Sequence, residues 1–147
     1  MRRIARSAIV DCSAGAFYAL VEDIESYPEF LPWCAAASVR ERSRERTVAT
    51  LMLKVKGVRE SFTTENLNSP GKAIEMRLLQ GPFRHFAAEW HFTPLEPEAV
   101  KVEFTLAYEF SNPIVARLLD PAFERIADST VDAFVRRAAA RRDEAAR

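Results

Sequence analysis

Apolar residues follow two periods along this chain, and the change of period divides it. From about residue 35 to residue 111 they alternate with polar ones; beyond that they recur every three or four positions. The alternation is cleanest where Val100, Val102, Phe104, Leu106, Tyr108 and Phe110 face one way and Lys101, Glu103, Thr105 and Glu109 the other. The same rule predicts strands over 35–44, 46–57 and 59–67, with a tight turn at Arg44–Glu45. Ala49, Leu51, Leu53 and Val55 share one face of the second, and Phe62 shares a face of the third with Glu60 and Thr64. Two more strands carry Ile74, Met76 and Leu78, then Phe86, Ala88, Trp90 and Phe92. Asn68-Ser69-Pro70-Gly71 and Gly81-Pro82 punctuate the run. Such alternation marks antiparallel strands buried on one side.

The two ends complete the pattern. Residues 2–10 read as a strand anchored by Ile4, Ile9 and Val10. Ser13 has the chemistry of an N-cap for a helix through Phe17, Leu20, Val21 and Ile24. Asn112 and Pro113 open a final helix whose Leu119, Phe123, Ile126, Thr130, Phe134 and Ala138 form one stripe. A helix of about 25–30 residues is roughly 40 Å long at 1.5 Å per residue. A sheet of about seven strands with one apolar face covers that face by curling around such a helix. The expected fold class is therefore α+β, a helix-grip arrangement over 1–147. Ala35, Ala37, Ala49 and Ala88 are small side chains that leave room inside the grip.

Charge narrows the partners. Lys plus Arg and Asp plus Glu both number 21, so the net charge is zero, and no whole-molecule attraction to nucleic acid or anionic lipid is expected. DNA is not an expected partner. Arg40, Arg42, Arg44 and Arg46, and Arg136, Arg137, Arg141 and Arg142, form two local basic patches that offer phosphate contacts. Cys12 and Cys34 form no CxxC pair, and Asp11 interrupts the apolar stretch behind Arg2 and Arg3, so a cytoplasmic setting is expected. No run of eighteen apolar residues occurs, which limits any membrane contact to a peripheral one.

Catalytic motifs are scarce. His85 and His91 lie six positions apart on one strand, roughly 20 Å at about 3.3 Å per residue, too far to share a metal. GxSxG, P-loop and GxGxxG signatures are absent. Glu60 is the one carboxylate that alternation turns toward the interior, as a headgroup anchor or a base. Segment 27–33 gathers aromatic and apolar residues between two prolines, the composition of a lid, a membrane contact or a core plug. Binding of an apolar molecule, with no required cofactor, is expected over catalysis. Phe62, Phe86, Trp90, Tyr108, Leu119 and Phe123 are expected to line the site. Tyr27, Phe30, Leu31, Trp33 and Phe83 are expected to gate it.

At Tyr27-Pro28-Glu29-Phe30-Leu31-Pro32-Trp33-Cys34 the sequence resembles the coenzyme Q-binding and RatA family of START-like proteins. The likeness continues over 57–63, at Gly81-Pro82-Phe83, Trp90-His91-Phe92 and Tyr108-Glu109-Phe110-Ser111-Asn112-Pro113. It closes at Val131-Asp132-Ala133-Phe134 with Arg137-Ala138. Lys54 and Lys56 stand in a strand where more apolar character is expected. The resemblance implies the same helix-grip fold. It also implies binding of ubiquinone or a related isoprenoid lipid in support of respiration, with contact to the inner membrane. The alternative it implies is a toxin that associates with the large ribosomal subunit and blocks subunit joining. Older naming adds aromatic polyketide cyclases, for which Glu60 would be the base.

Overall fold

Alternation buries one face of each strand, and hydrogen bonding between neighbours joins those faces into one surface. The computed structural model describes residues 1–145. β1 (Arg2–Val10) leads into α1 (Ala14–Glu22) and a 3-10 helix (Ile24–Glu29). Six strands follow: β2 (Cys34–Arg42), β3 (Arg46–Val55), β4 (Val58–Ser69), β5 (Ala73–Gln80), β6 (Phe83–Glu96) and β7 (Ala99–Phe110). α2 (Pro113–Ala145) ends the description. All pairings are antiparallel, in the order β1-β7-β6-β5-β4-β3-β2. β2 to β7 are a meander because short turns place each strand beside the last; β1 returns to pair with β7. The predicted seven-stranded helix-grip fold is therefore the observed one.

The caps act as their chemistry predicts. The Ser13 hydroxyl accepts from the Ala16 N–H at 3.1 Å, and Asn112 Oδ1 accepts from the Ile114 N–H at 2.8 Å. Several boundaries shift by a few residues from the sequence expectation, and two of the shifts have a clear cause. β3 stops at Val55, before Gly57, because Lys56 and Gly57 take φ of 51° and 78° and make the hairpin turn. α2 runs 33 residues, longer than expected, and continues through Pro121, whose ring faces solvent.

Every inward residue of β7 from Val100 to Phe110 is buried. Phe17 of α1 packs on Trp90, Phe92 and Phe134, with ring centroids 5.9–6.5 Å apart. Along α2, Leu119, Phe123, Thr130, Phe134 and Ala138 of the stripe read from the sequence are buried and Ile126 is half-buried, with Ala127 and Val131 buried beside them. Ion pairs Arg2–Glu124 and Arg6–Asp128 fasten its outer side to β1. β2 is an edge strand with Ala35 exposed and Ala37 half-buried, so these alanines make no interior room. Among the described residues no helix is long and apolar enough to cross a membrane.

Candidate functional site

The sheet and α2 do not meet perfectly, and a cavity of about 70 Å³ remains between them. Leu51 (β3), Phe62 (β4), Met76 (β5), Phe86, Ala88 and Trp90 (β6), and Phe104 and Leu106 (β7) form its sheet wall. Phe123, Ile126, Ala127, Thr130 and Phe134 form its helix wall, and Tyr27, Leu31 and Trp33 close the end. The lining is almost wholly apolar. A dry cavity of roughly 150 Å³ holds benzene, so this one is too small for a substituted ring in the observed state.

The expected gate is a plug here. Pro28 confines helical geometry to the 3-10 segment, which turns Tyr27 inward; Tyr27 and Leu31 are 7% and 1% exposed. The Tyr27 hydroxyl donates to the Val21 carbonyl, and burial raises its pKa far above the usual phenol value. The Leu31 N–H donates to Tyr27 O at 2.9 Å, and the Lys54 N–H to Trp33 O at 2.8 Å, which ties the plug to β3. A latch holds its outer side: Arg137 donates to Glu29 at 2.6 Å and lies over the Phe30 ring at 5.1 Å.

Three residues of the lining carry polar side-chain groups. Tyr27 is satisfied as described, and the Thr130 hydroxyl donates to Ile126 O within α2 at 2.9 Å. The Trp33 indole N–H is buried and has no acceptor among the described residues. An acceptor atom on a bound molecule would satisfy it, and an apolar one would not. Beside the plug, burial pushes the Cys34 thiol up to about 11, and the thiol donates to Ala36 O at 3.3 Å.

Of the residues named from sequence, Tyr27, Leu31, Trp33, Phe62, Phe86, Trp90 and Phe123 come together on the lining. Phe30 sits outside it, between Phe134 and Arg137. Leu119 is buried in the core beyond it. Phe83 does not gate: it is 5% exposed and stacks on Phe110 at 4.8 Å. With Tyr108 it surrounds Phe123 and closes the far end, so neither reaches the space. Glu60 also lies elsewhere. It is half-buried at the edge of β4, in an outer groove with Arg40, Thr50, Ser61, Thr63 and Gln80. Sequence reasoning left out Leu51, Met76, Ala88, Phe104, Leu106, Ile126, Thr130 and Phe134, although alternation and the helix stripe had placed all of them inward. Ala127 carried no signal.

The expected basic patches are half neutralised. Arg42 pairs with Glu22 and Glu25 at 2.9 and 2.8 Å, and Arg46 with Glu41 and Glu65. Arg137 pairs with Glu29, and Arg142 approaches Asp11 at 3.7 Å. Among the described residues, no three His, Cys, Asp or Glu side chains gather as metal ligands.

Known proteins resemble this chain in sequence and in architecture. The ribosome association toxin RatA of Vibrio cholerae is 40% identical over 138 residues, covering 94% of this chain and 96% of that one. The mitochondrial coenzyme Q-binding protein COQ10 of Drosophila melanogaster is 24% identical over 134 residues, covering 88% of this chain and 55% of its own. In structure, the Zhui aromatase/cyclase from Streptomyces sp. R1128 superposes with a TM-score of 0.80 at 18% identity, covering 95% of this chain and 94% of that one. The sequence pattern described as polyketide cyclase / dehydrase and lipid transport matches residues 10–135. With that match and a RatA relative at 40% identity, the chain belongs to the polyketide cyclase / dehydrase and lipid transport family.

Proposed function

We propose that this chain associates with the large ribosomal subunit and hinders subunit joining, as a RatA-type regulator. Its likeness to the Vibrio cholerae ribosome association toxin over 94% of its length carries the reading. The geometry supports it in one respect. The interior holds only about 70 Å³, so a quinone ring does not fit without opening the plug, whereas a surface contact needs no such change. The test is sedimentation of purified protein with large subunits, small subunits and their mixture. The expected result is comigration with the large subunit and fewer joined particles. Joined particles in undiminished amount, with no protein in the large-subunit fraction, would refute it.

A second reading rests on Trp33. An apolar cavity with one orphan N–H fits an apolar molecule that carries an acceptor oxygen, such as ubiquinone or a related isoprenoid lipid, admitted when segment 27–33 swings out. Burial of an isoprenoid tail contributes about 25 cal/mol per Å² of apolar surface. Extraction and mass spectrometry of protein purified from a ubiquinone-producing host tests it. A stoichiometric quinone supports the reading; protein that stays empty even after incubation with excess quinone removes it. The cyclase reading is not carried forward, since the carboxylate it needed, Glu60, lies outside the lining.

A further inference from the structure

The β3–β4 hairpin is built differently from the rest of the surface. Its two strands pair out to Val55 and Val58, but β4 meets β5 only from Thr63, which pairs with Gln80. The tip therefore projects past β5 by the rise of five residues, roughly 16 Å at 3.3 Å per residue. Lys54 and Arg59 are exposed and directly opposite in register, a like-charge pair that weakens a hairpin. Between them the turn places Lys56 at φ 51°, in the left-handed region that asparagine or glycine occupies with less strain.

Elsewhere the fold gives a carboxylate within 4 Å to Arg2, Arg6, Arg42, Arg46, Arg77, Arg84, Arg137 and Arg142, while other cations such as Arg3, Lys72 and Lys101 lie singly on the sheet or its turns with none among the described residues. Lys54, Lys56 and Arg59 have none among the described residues. Three unpaired cations thus crowd a protruding tip, where a like-charge cross-strand pair and a left-handed lysine both oppose folding. Sites that violate local rules in this way are where function is sought. The tip is also free of exposed large apolar side chains, which occur at Met1, Ile9, Leu79, Leu95, Ile114 and Leu118. A bilayer-inserting loop carries such residues; a phosphate-binding one does not need them.

We propose that this hairpin tip is an RNA-backbone contact, with Lys54, Lys56 and Arg59 each pairing with a phosphate of ribosomal RNA. The assignment rests on the ribosome reading above and locates its surface. It places that surface on the hairpin, away from the arginine-rich end of α2, half of whose named cations are already paired.

The test uses the full chain carrying Lys54→Gln, Lys56→Asn and Arg59→Gln. Asparagine suits the left-handed position and removal of the Lys54–Arg59 repulsion favours pairing, so the variant folds; thermal melting checks this. Binding to purified large subunits is measured across a series of KCl concentrations. Each lost phosphate contact lowers the slope of log K against log salt by about 0.7–0.9, so the slope should fall by about 2–3 and affinity at least tenfold at low salt. A control carrying Arg3→Gln, Lys72→Gln and Lys101→Gln changes net charge equally and should keep the wild-type slope. Equal loss in the control overturns the assignment. So does an unchanged slope in the hairpin variant while wild type binds, which leaves ribosome association standing. If wild type itself does not bind, both ideas fail. Phosphatidylglycerol vesicles provide the other arm: vesicle binding lost in the variant, with subunit binding intact, overturns the RNA assignment in favour of a lipid surface.

Discussion

Phe134 joins the parts that the fold must hold together, and replacing it by alanine measures that junction. Its ring is 1% exposed and lies 5.0 Å from Phe30, 5.1 Å from Trp90, 5.4 Å from Tyr27 and 6.5 Å from Phe17. These belong to the plug, β6 and α1, so one side chain on α2 meets three other elements. Truncation of a buried Phe costs about 3–5 kcal/mol, and the edge-on ring pairs place this site in the upper half of that range. At roughly 2–4 °C per kcal/mol for a domain of this size, Tm should fall by about 10–20 °C. Phe134 also lines the cavity, so its removal should enlarge the space of about 70 Å³ by a phenyl ring. That passes the roughly 150 Å³ that accommodates benzene. Benzene at a hundred times its Kd should then restore about 2.7 kcal/mol to Phe134→Ala and leave wild type unaffected. Urea unfolding with and without benzene is the assay. A loss below about 1.5 kcal/mol, or equal stabilisation of both proteins by benzene, would refute the packing argument.

Three other perturbations test separate features. Arg137→Ala removes an ion pair to a 61%-exposed Glu29 side chain and a cation–π contact, together about 1–2 kcal/mol. It should speed hydrogen exchange at the Leu31 and Cys34 amides, and unchanged exchange there would rule out the latch. Gly81→Ala would set a Cβ 2.6 Å from Phe62 Cβ and 3.2 Å from its Cα, costing about 1–3 kcal/mol; an unaltered urea midpoint would contradict the close approach. Burial raises the pKa of Cys34 to about 11 and of Tyr108 to about 12, and also raises that of Tyr27. Their folded-state values exceed unfolded ones near 9–10, so their contribution is complete below about pH 9 and is lost as pH rises through 11–12. Urea unfolding at pH 7, 9 and 11 should show a drop only at the last; a gain between pH 9 and 11 would reverse the sign argument.

Element order was legible because period two and period 3.6 are properties of neighbours in sequence. β7 was readable from Val100 to Phe110, and the α2 stripe from Leu119 to Ala138, since each position's face follows from counting along one element. Ser13 and Asn112 were legible as caps for the same reason: a side chain reaching an amide two or three residues on is a local event. The cavity residues on the strands, and Phe123, Ile126, Thr130 and Phe134 on α2, were likewise contained in those patterns.

What alternation cannot supply is depth along the strand and contact between strands. Tyr108 and Leu106 share a face, yet only Leu106 meets the cavity, because Phe83, Phe110 and Phe123 close the space at the level of Tyr108. Glu60 has inward parity but lies at the β4 edge before β5 begins. Ion pairing is also a tertiary matter. Arg42 and Arg46 look alike in sequence to Lys54 and Arg59, but partners 17 to 20 residues away, Glu22, Glu25 and Glu65, neutralise the first pair and none reaches the second. The sequence by itself thus determined the strands, helices, caps and their apolar faces, because these follow from backbone periodicity and local hydrogen bonding. Only the tertiary structure decided the size of the cavity and which cations stay free, because both depend on distances between residues far apart in the chain.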